Sequence, residues 1–216
     1  MREVLPRLGP SPDRVIVLDW NLHRSPDRLR QRLQALVDEY GDAEIVLAMG
    51  LCGEGTVGLK SSRGALVVPR VDDCLALLRG SQKAHREQTR MCPGTYYLTK
   101  GWLDSGDAIV TEFERCVRRY GSERALRAFR SLFRHYRQVV FIELGLAGEK
   151  RAMARAEEFA ERFGMDMKVV LGDLALLADV IHGRPNPHIA RFPAEQATKM
   201  TDFLPGTAQE LRGVGS

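Results

Sequence analysis

The stretch Val15-Ile-Val-Leu-Asp-Trp20-Asn-Leu-His23-Arg-Ser25-Pro26-Asp27 reads as strand followed at once by helix. Val15–Trp20 is a short apolar, β-branched run. Ser25-Pro26-Asp27 then supplies an N-cap hydroxyl, a proline at the first helical position and an early acid, which suit the orphan amides of a helix start. Leu29, Leu33, Leu36, Val37 and Tyr40 follow at i, i+4, i+7, i+8 and i+11, so they share one helical face, and Gly41 ends the helix.

The same alternation continues along the chain. Glu44–Met49, Ala65–Val68, residues 94–99, Val139–Leu144 and Met167–Leu171 read as further strands. Helical patterns follow at Asp72 to Arg90, at 107–135 with a break at Gly121-Ser122, at 149–163 up to Gly164, and at 173–182. Strands separated by helices predict a doubly wound, Rossmann-like α/β fold, with a mostly parallel sheet and helices on both faces. The expected organisation is a lead-in at 1–14, a single α/β domain over 15–183 and a Pro/Gly-rich, weakly ordered tail over 184–216.

Composition narrows the functional classes. The 216 residues, 44% of them hydrophobic, are enough for one real core. Apolar runs such as Ala65–Pro69 and Val139–Ile142 are far shorter than the roughly 20 residues of a membrane-spanning helix, so no membrane partner is expected. Met1-Arg-Glu-Val-Leu-Pro6 lacks the apolar stretch of a secretory signal, which predicts a cytoplasmic protein with reduced thiols. Net charge is +4, but 32 Lys+Arg are interspersed with 28 Asp+Glu, which predicts a solvated Arg-rich helical face and no nucleic-acid partner.

In open parallel sheets ligands bind beyond the carboxyl ends of the strands. His23, Cys52 and Cys74 fall just past the first three predicted strands. One imidazole and two thiolates are a suitable three-ligand set for zinc, with a fourth position open to a substrate thiol. The competing reading is equally concrete: His23 beside a helix start, Cys52 in a tight glycine loop, Cys74 as a small buried side chain. Gly50, Gly53, Gly55 and Gly58 predict a sharply turning backbone, but the spacing matches neither a dinucleotide fingerprint nor a P-loop, so no nucleotide is expected. Glu54 and Asp73 are candidate catalytic groups, able to orient a ligand or shuttle a proton, while Asp72 or Asp73 would also cap the following helix. Arg70, Asp72, Gly53 and Gly55 are expected at the pocket's edge, with Tyr96, Tyr97, Thr99 and Trp102 as a pocket wall or, alternatively, a strand packed on helices. Cys92 lies in a turn and Cys116 within a helix; a Cys52–Cys74–Cys92 iron–sulfur site lacks ferredoxin-type spacing.

Several stretches together resemble the domain-of-unknown-function family 1638: Leu18-Asp-Trp-Asn-Leu-His23 with Pro26 and Leu29, Gly50-Leu-Cys-Gly-Glu-Gly-Thr-Val-Gly-Leu59, Val68-Pro-Arg-Val-Asp-Asp-Cys-Leu75, Gly80-Ser81, and Gly94-Thr-Tyr-Tyr-Leu-Thr-Lys-Gly-Trp102. The resemblance spans 15–183 and implies that His23, Cys52, Asp72, Asp73 and Cys74 share a site. It also implies a place beside corrinoid-dependent methyltransferase systems, hence methyl transfer, a methyl donor or small thiol as substrate, and a corrinoid or corrinoid protein as cofactor or partner. Members similar to it open with a further strand bearing a Cys and a Glu; Met1–Arg14 has no Cys, so a metal here would take a different fourth ligand. Beside this metalloenzyme reading stand a non-catalytic corrinoid- or metal-binding accessory protein, and a metal-independent enzyme using Cys52 and Cys74 as paired acid/base thiols, as in amino-acid racemases.

Overall fold

The computed structural model describes residues 4–9, 12–106 and 108–203. In chain order these form α1 (Pro26–Tyr40), β1 (Ile45–Val46), β2 (Leu66–Pro69), α2 (Cys74–Leu78), α3 (Gln82–Met91), β3 (Thr95–Leu98), α4 (Lys100–Asp104), α5 (Ile109–Tyr120), α6 (Ser122–Phe133), β4 (Gln138–Glu143), α7 (Glu149–Arg162), β5 (Asp166–Leu171), α8 (Ala175–Ile181) and β6 (Ile189–Phe192). The chain is a mixed α/β protein. It divides into a central unit, Met1–Gly9 with Lys83–Asp173, and a flanking unit, Pro10–Gln82 with Leu174–Ser216.

The flanking unit holds a three-stranded sheet in the order β1-β2-β6. β1 runs parallel to β2, and β6 pairs antiparallel to it with Leu66 opposite Phe192 and Val68 opposite Ala190. All four residues of β2 are buried, as expected of an apolar run in a sheet's middle strand. Leu29, Leu33 and Val37 on α1 pack with Leu66, Val68 and Phe192 in one apolar core. Full burial of each such side chain stabilises the fold by about 1.5–3 kcal/mol. α8 packs on β2 and α2.

The central unit holds the parallel sheet β3-β4-β5, with Tyr97 opposite Val140 and Phe141 opposite Val169. α7 packs on β4 and β5. Its core is aromatic: Phe113, Phe129, Phe133 and Phe159 are buried together, with Phe113 and Phe129 edge to face at 5.1 Å. The buried Glu149 carboxylate accepts hydrogen bonds from the Leu144 and Leu146 amides at 2.8 and 2.9 Å, which fixes the turn from β4 into α7.

Several expectations require correction. The mixed α/β class holds, and the described strands form two three-stranded sheets, one parallel and one with an antiparallel edge. Val15–Leu18 joins no sheet among the described residues, and Trp20–Arg24 is a 3-10 helix capped by Asp19, whose side chain accepts from Asn21 N–H. Ser25 stands at the N-cap of α1 without a side-chain cap bond. The helix expected from Asp72 to Arg90 is two helices, because Gly80 adopts φ +66° between them. Past Pro185, where the sequence reads as a tail, the chain forms β6 and then a 3-10 turn at Met200–Phe203 that buries Phe203; the remaining tail residues lie outside the described ones.

Candidate functional site

The flanking unit brings two of the predicted residues together. The Sγ atoms of Cys52 and Cys74 are 3.5 Å apart, and both cysteines are free thiols, partly buried. Backbone lacing explains the meeting. The Leu51 amide donates to the Val71 carbonyl at 2.9 Å and the Cys52 amide to the Asp72 carbonyl at 3.0 Å, so the loop after β1 runs alongside the turn after β2. Gly50 permits this approach, since a Cβ there would stand 2.5 Å from the Val71 carbonyl oxygen and 2.9 Å from the Asp73 nitrogen.

The Cys52 loop then reverses sharply. Cys52, Gly53 and Glu54 adopt φ of 47°, 66° and 74°, a run of left-handed residues that costs a non-glycine residue about 1–2 kcal/mol each. Thr56, fully buried, compensates from inside the loop: its hydroxyl lies 3.1 Å from the Gly50 carbonyl oxygen and 3.3 Å from that of Leu51. The buried Thr198 hydroxyl donates to the Thr56 carbonyl at 2.6 Å and accepts from the Leu59 amide at 3.0 Å. Neither threonine was singled out from the sequence. A hydroxyl inside a glycine-rich loop was the signal for Thr56; Thr198 has none, because it reaches the loop from more than a hundred residues away.

The two thiols share protons unequally. The hydrogen bond from Cys52 lowers the pKa of the Cys74 thiol from its ordinary value, with burial opposing and the Gly50 backbone assisting. The same bond, together with burial and the Asp73 charge, pushes the Cys52 thiol up. The opposite directions of the two shifts favour the first thiolate on Cys74, with the Cys52 thiol 3.5 Å away.

The other predicted residues are placed as follows. Asp73 caps α2, its Oδ1 accepting from the Leu75 and Ala76 amides at 2.9 and 3.0 Å. The Asp72 amide donates to Gln82 Oε1 at 3.0 Å. An Arg70 guanidinium nitrogen lies 3.5 Å from the Asp202 carbonyl oxygen. Glu54 is exposed. Gly55 serves packing, since a Cβ there would strike Leu29 of α1 at 2.6 Å, whereas at Gly53 a Cβ would make only an ordinary contact with Pro26 at 3.5 Å and the left-handed φ is what favours glycine. His23 lies in the 3-10 helix, its pKa lowered by burial. Among the described residues no group of three or more His, Cys, Asp or Glu side chains is arranged to hold a metal ion. His23, Cys52 and Cys74 are thus not gathered into a three-ligand set here.

Tyr96, Tyr97, Thr99 and Trp102 belong to the central unit. Tyr96 lies 5.9 Å from Trp102 and 6.0 Å from both Phe133 and Tyr136, ring centroid to centroid, within the aromatic core. Burial pushes its phenol up to about 12. Tyr97 packs on His85 at 5.3 Å, and Thr99 caps α4 by accepting from the Trp102 amide at 3.1 Å. Cys116 packs against the same aromatic core.

A mixed α/β fold with a close pair of free thiols, gathered by two loops beyond parallel strands, defines the class. No helix among the described residues is long and apolar enough to cross a membrane. The chain belongs to the family described as protein of unknown function DUF1638, whose model matches residues 17–181. No curated protein and no solved structure matches it.

Proposed function

We propose that the chain acts in thiol metabolism as a dithiol protein, with Cys74 as the attacking thiolate and Cys52 as the resolving thiol. The observation that carries this reading is the 3.5 Å separation of the two sulfurs. It is wider than the roughly 2.05 Å of a disulfide and close enough that side-chain rotation can form one. The Cys74 thiolate attacks one sulfur of a substrate disulfide, forming a mixed disulfide and releasing one thiolate, which takes up a proton. Cys52 then loses its proton, attacks the Cys74 sulfur and releases the second substrate thiol. The substrate gains two electrons and two protons, and the dithiol becomes a disulfide.

The separation also weighs against paired acid/base thiols acting from opposite faces of a substrate. A carbon held between two sulfurs at contact distances of about 3.5–4 Å would require them to be about 7 Å apart. Nothing in the geometry favours a methyl donor or a corrinoid over a disulfide as the partner, so neither enters the proposal.

The test is thiol counting by mass spectrometry after exposure to glutathione disulfide and quenching with an alkylating agent. Wild type is expected to lose two alkylatable thiols at Cys52 and Cys74 and gain no adduct, whereas Cys52→Ser retains a stable mixed disulfide on Cys74. Four alkylated thiols in wild type after prolonged oxidation would overturn the reading. Zinc that co-purifies with wild type and is lost from both single serine variants would also overturn it, in favour of chelation.

A further inference from the structure

The segment after β6 holds the thiol loop from behind. The Glu195 amide donates to the Ser61 carbonyl at 2.8 Å, the Thr198 amide to the Leu59 carbonyl at 3.0 Å, and the Gly58 amide to the Thr198 carbonyl at 2.9 Å. Phe203, 1% exposed, sits in the apolar core with Leu29 and Leu59 and anchors the far end. Thr198 is itself 2% exposed, and its hydroxyl is engaged on the loop, donating to the Thr56 carbonyl and accepting from the Leu59 amide.

From Thr198 the hydrogen bonds lead on to the sulfurs. The Thr56 hydroxyl faces the Gly50 and Leu51 carbonyls, and the Gly50 backbone hydrogen-bonds to both thiols. The Leu51 and Cys52 amides are tied to the turn that carries Cys74. Cys52 and Glu54 hold positive φ within this loop. Strained residues of that kind persist only where their surroundings over-determine the backbone. Thr56 and Thr198 supply that constraint, both buried where water cannot take the place of a hydroxyl.

Given the dithiol reading above, we propose that Thr198 is a positioning residue of the thiol pair, holding Cys52 within reach of Cys74 through Thr56 and Gly50. A fixed loop gives the two sulfurs a high effective concentration for one another, and a loop released at Thr56 dilutes it. The coupling is reciprocal. Closing the bond draws the sulfurs from 3.5 Å to about 2.05 Å. That displaces the loop from the position Thr198 fits and loosens the segment behind it.

The test is the dithiol–disulfide equilibrium of the full chain in glutathione buffers, read by alkylation and mass spectrometry. Thr198→Val is expected to lower the effective concentration of the two thiols about tenfold, and Thr198→Ser to restore it. Val37→Ala, which trims a buried side chain of α1, should lower the unfolding midpoint and leave that equilibrium unchanged. In wild type the Gly58 and Thr198 amides should exchange with solvent at least about threefold faster in the oxidised state than in the reduced one. An equilibrium in Thr198→Val equal to wild type, or one moved equally by Val37→Ala, would overturn the proposal. So would identical amide exchange in the two redox states, a readout that stands even where the valine variant does not fold. A wild type that forms no Cys52–Cys74 disulfide at any glutathione ratio removes the dithiol reading and this role of Thr198 together, whereas wild-type closure with an unmoved Thr198→Val removes the role of Thr198 alone.

Discussion

The Gly50 α-carbon faces the Val71 carbonyl so closely that a side chain at residue 50 would place its first carbon 2.5 Å from the carbonyl oxygen. This contact sets the distance between the Cys52 and Cys74 loops, and two hydrogen bonds from residues 51 and 52 run beside it. Gly50→Ala is therefore expected to push the loops apart, with a stability loss of about 1–3 kcal/mol from overpacking and slower disulfide closure under a fixed oxidant. Gly58→Ala is the contrast: φ is +81° but nothing lies within 4 Å, so the cost is backbone strain of about 1 kcal/mol with closure unaffected. Chemical denaturation and oxidant-quench kinetics of the two variants read both effects; equal closure rates would break the link between Gly50 and the thiol pair.

Inside the loop, the Thr56 hydroxyl lies within hydrogen-bonding distance of the Gly50 and Leu51 carbonyls, where no water reaches it. Thr56→Val keeps the shape and removes the hydroxyl. The expected loss is about 1–3 kcal/mol, because the contact is deleted without a replacement. Thr56→Ser should recover most of it. A denaturation midpoint for the valine variant equal to wild type would show that the loop is held by its backbone alone.

The thiol pair also makes a pH prediction. The Cys52 hydrogen bond depresses the pKa of Cys74, so the rate of Cys74 alkylation should rise with pH through a midpoint below that of an ordinary thiol. Cys52→Ala removes the donor while burial remains, and the midpoint should move up. Asp73→Asn keeps an oxygen to cap α2 but removes the negative charge that raises both thiols, so the midpoint should move down. Residue-resolved alkylation rates from about pH 5 to 10 measure all three proteins, and a Cys74 midpoint indifferent to Cys52→Ala would remove the shared proton from the account.

The meeting of Cys52 and Cys74 and several of the strands were legible in the sequence, and the rest was not for physical reasons. The strands at Leu66–Pro69, Thr95–Leu98, Gln138–Glu143 and Asp166–Leu171 lie close to where alternating composition puts them, because burial and β-branching act locally. Val15–Trp20 carries the same local signal, yet strand formation needs a partner backbone, and pairing is not written in one segment. β6 was missed because its four residues sit among prolines, which mark turns without forbidding a short edge strand between them. Cys52 and Cys74 were singled out together by their positions after successive strands. His23 occupies the same kind of position, but the 3-10 turn at Trp20–Arg24 ends the segment differently and the thiols form their pair without it. Tyr96 and Trp102 were assigned to a pocket by residue type, and that type serves an aromatic core equally well.

His23 carries the last prediction. Burial lowers its pKa from the ordinary 6.5, so the folded protein favours the neutral imidazole. Above the unfolded value both states are neutral and the residue contributes no pH dependence. As pH falls through about 6.5 the unfolded chain takes up a proton that the folded chain resists, and stability falls until pH passes the lowered folded value, below which the loss is complete. The urea midpoint of wild type is therefore expected to decline between about pH 7.5 and 5.5, a window above most carboxylate titrations. His23→Gln should flatten that decline in proportion to the contribution of His23. Parallel slopes for the two proteins would mean that His23 titrates alike folded and unfolded. A steeper slope in the variant would mean that the folded state stabilises the imidazolium, which reverses the sign and calls for an acidic partner near His23.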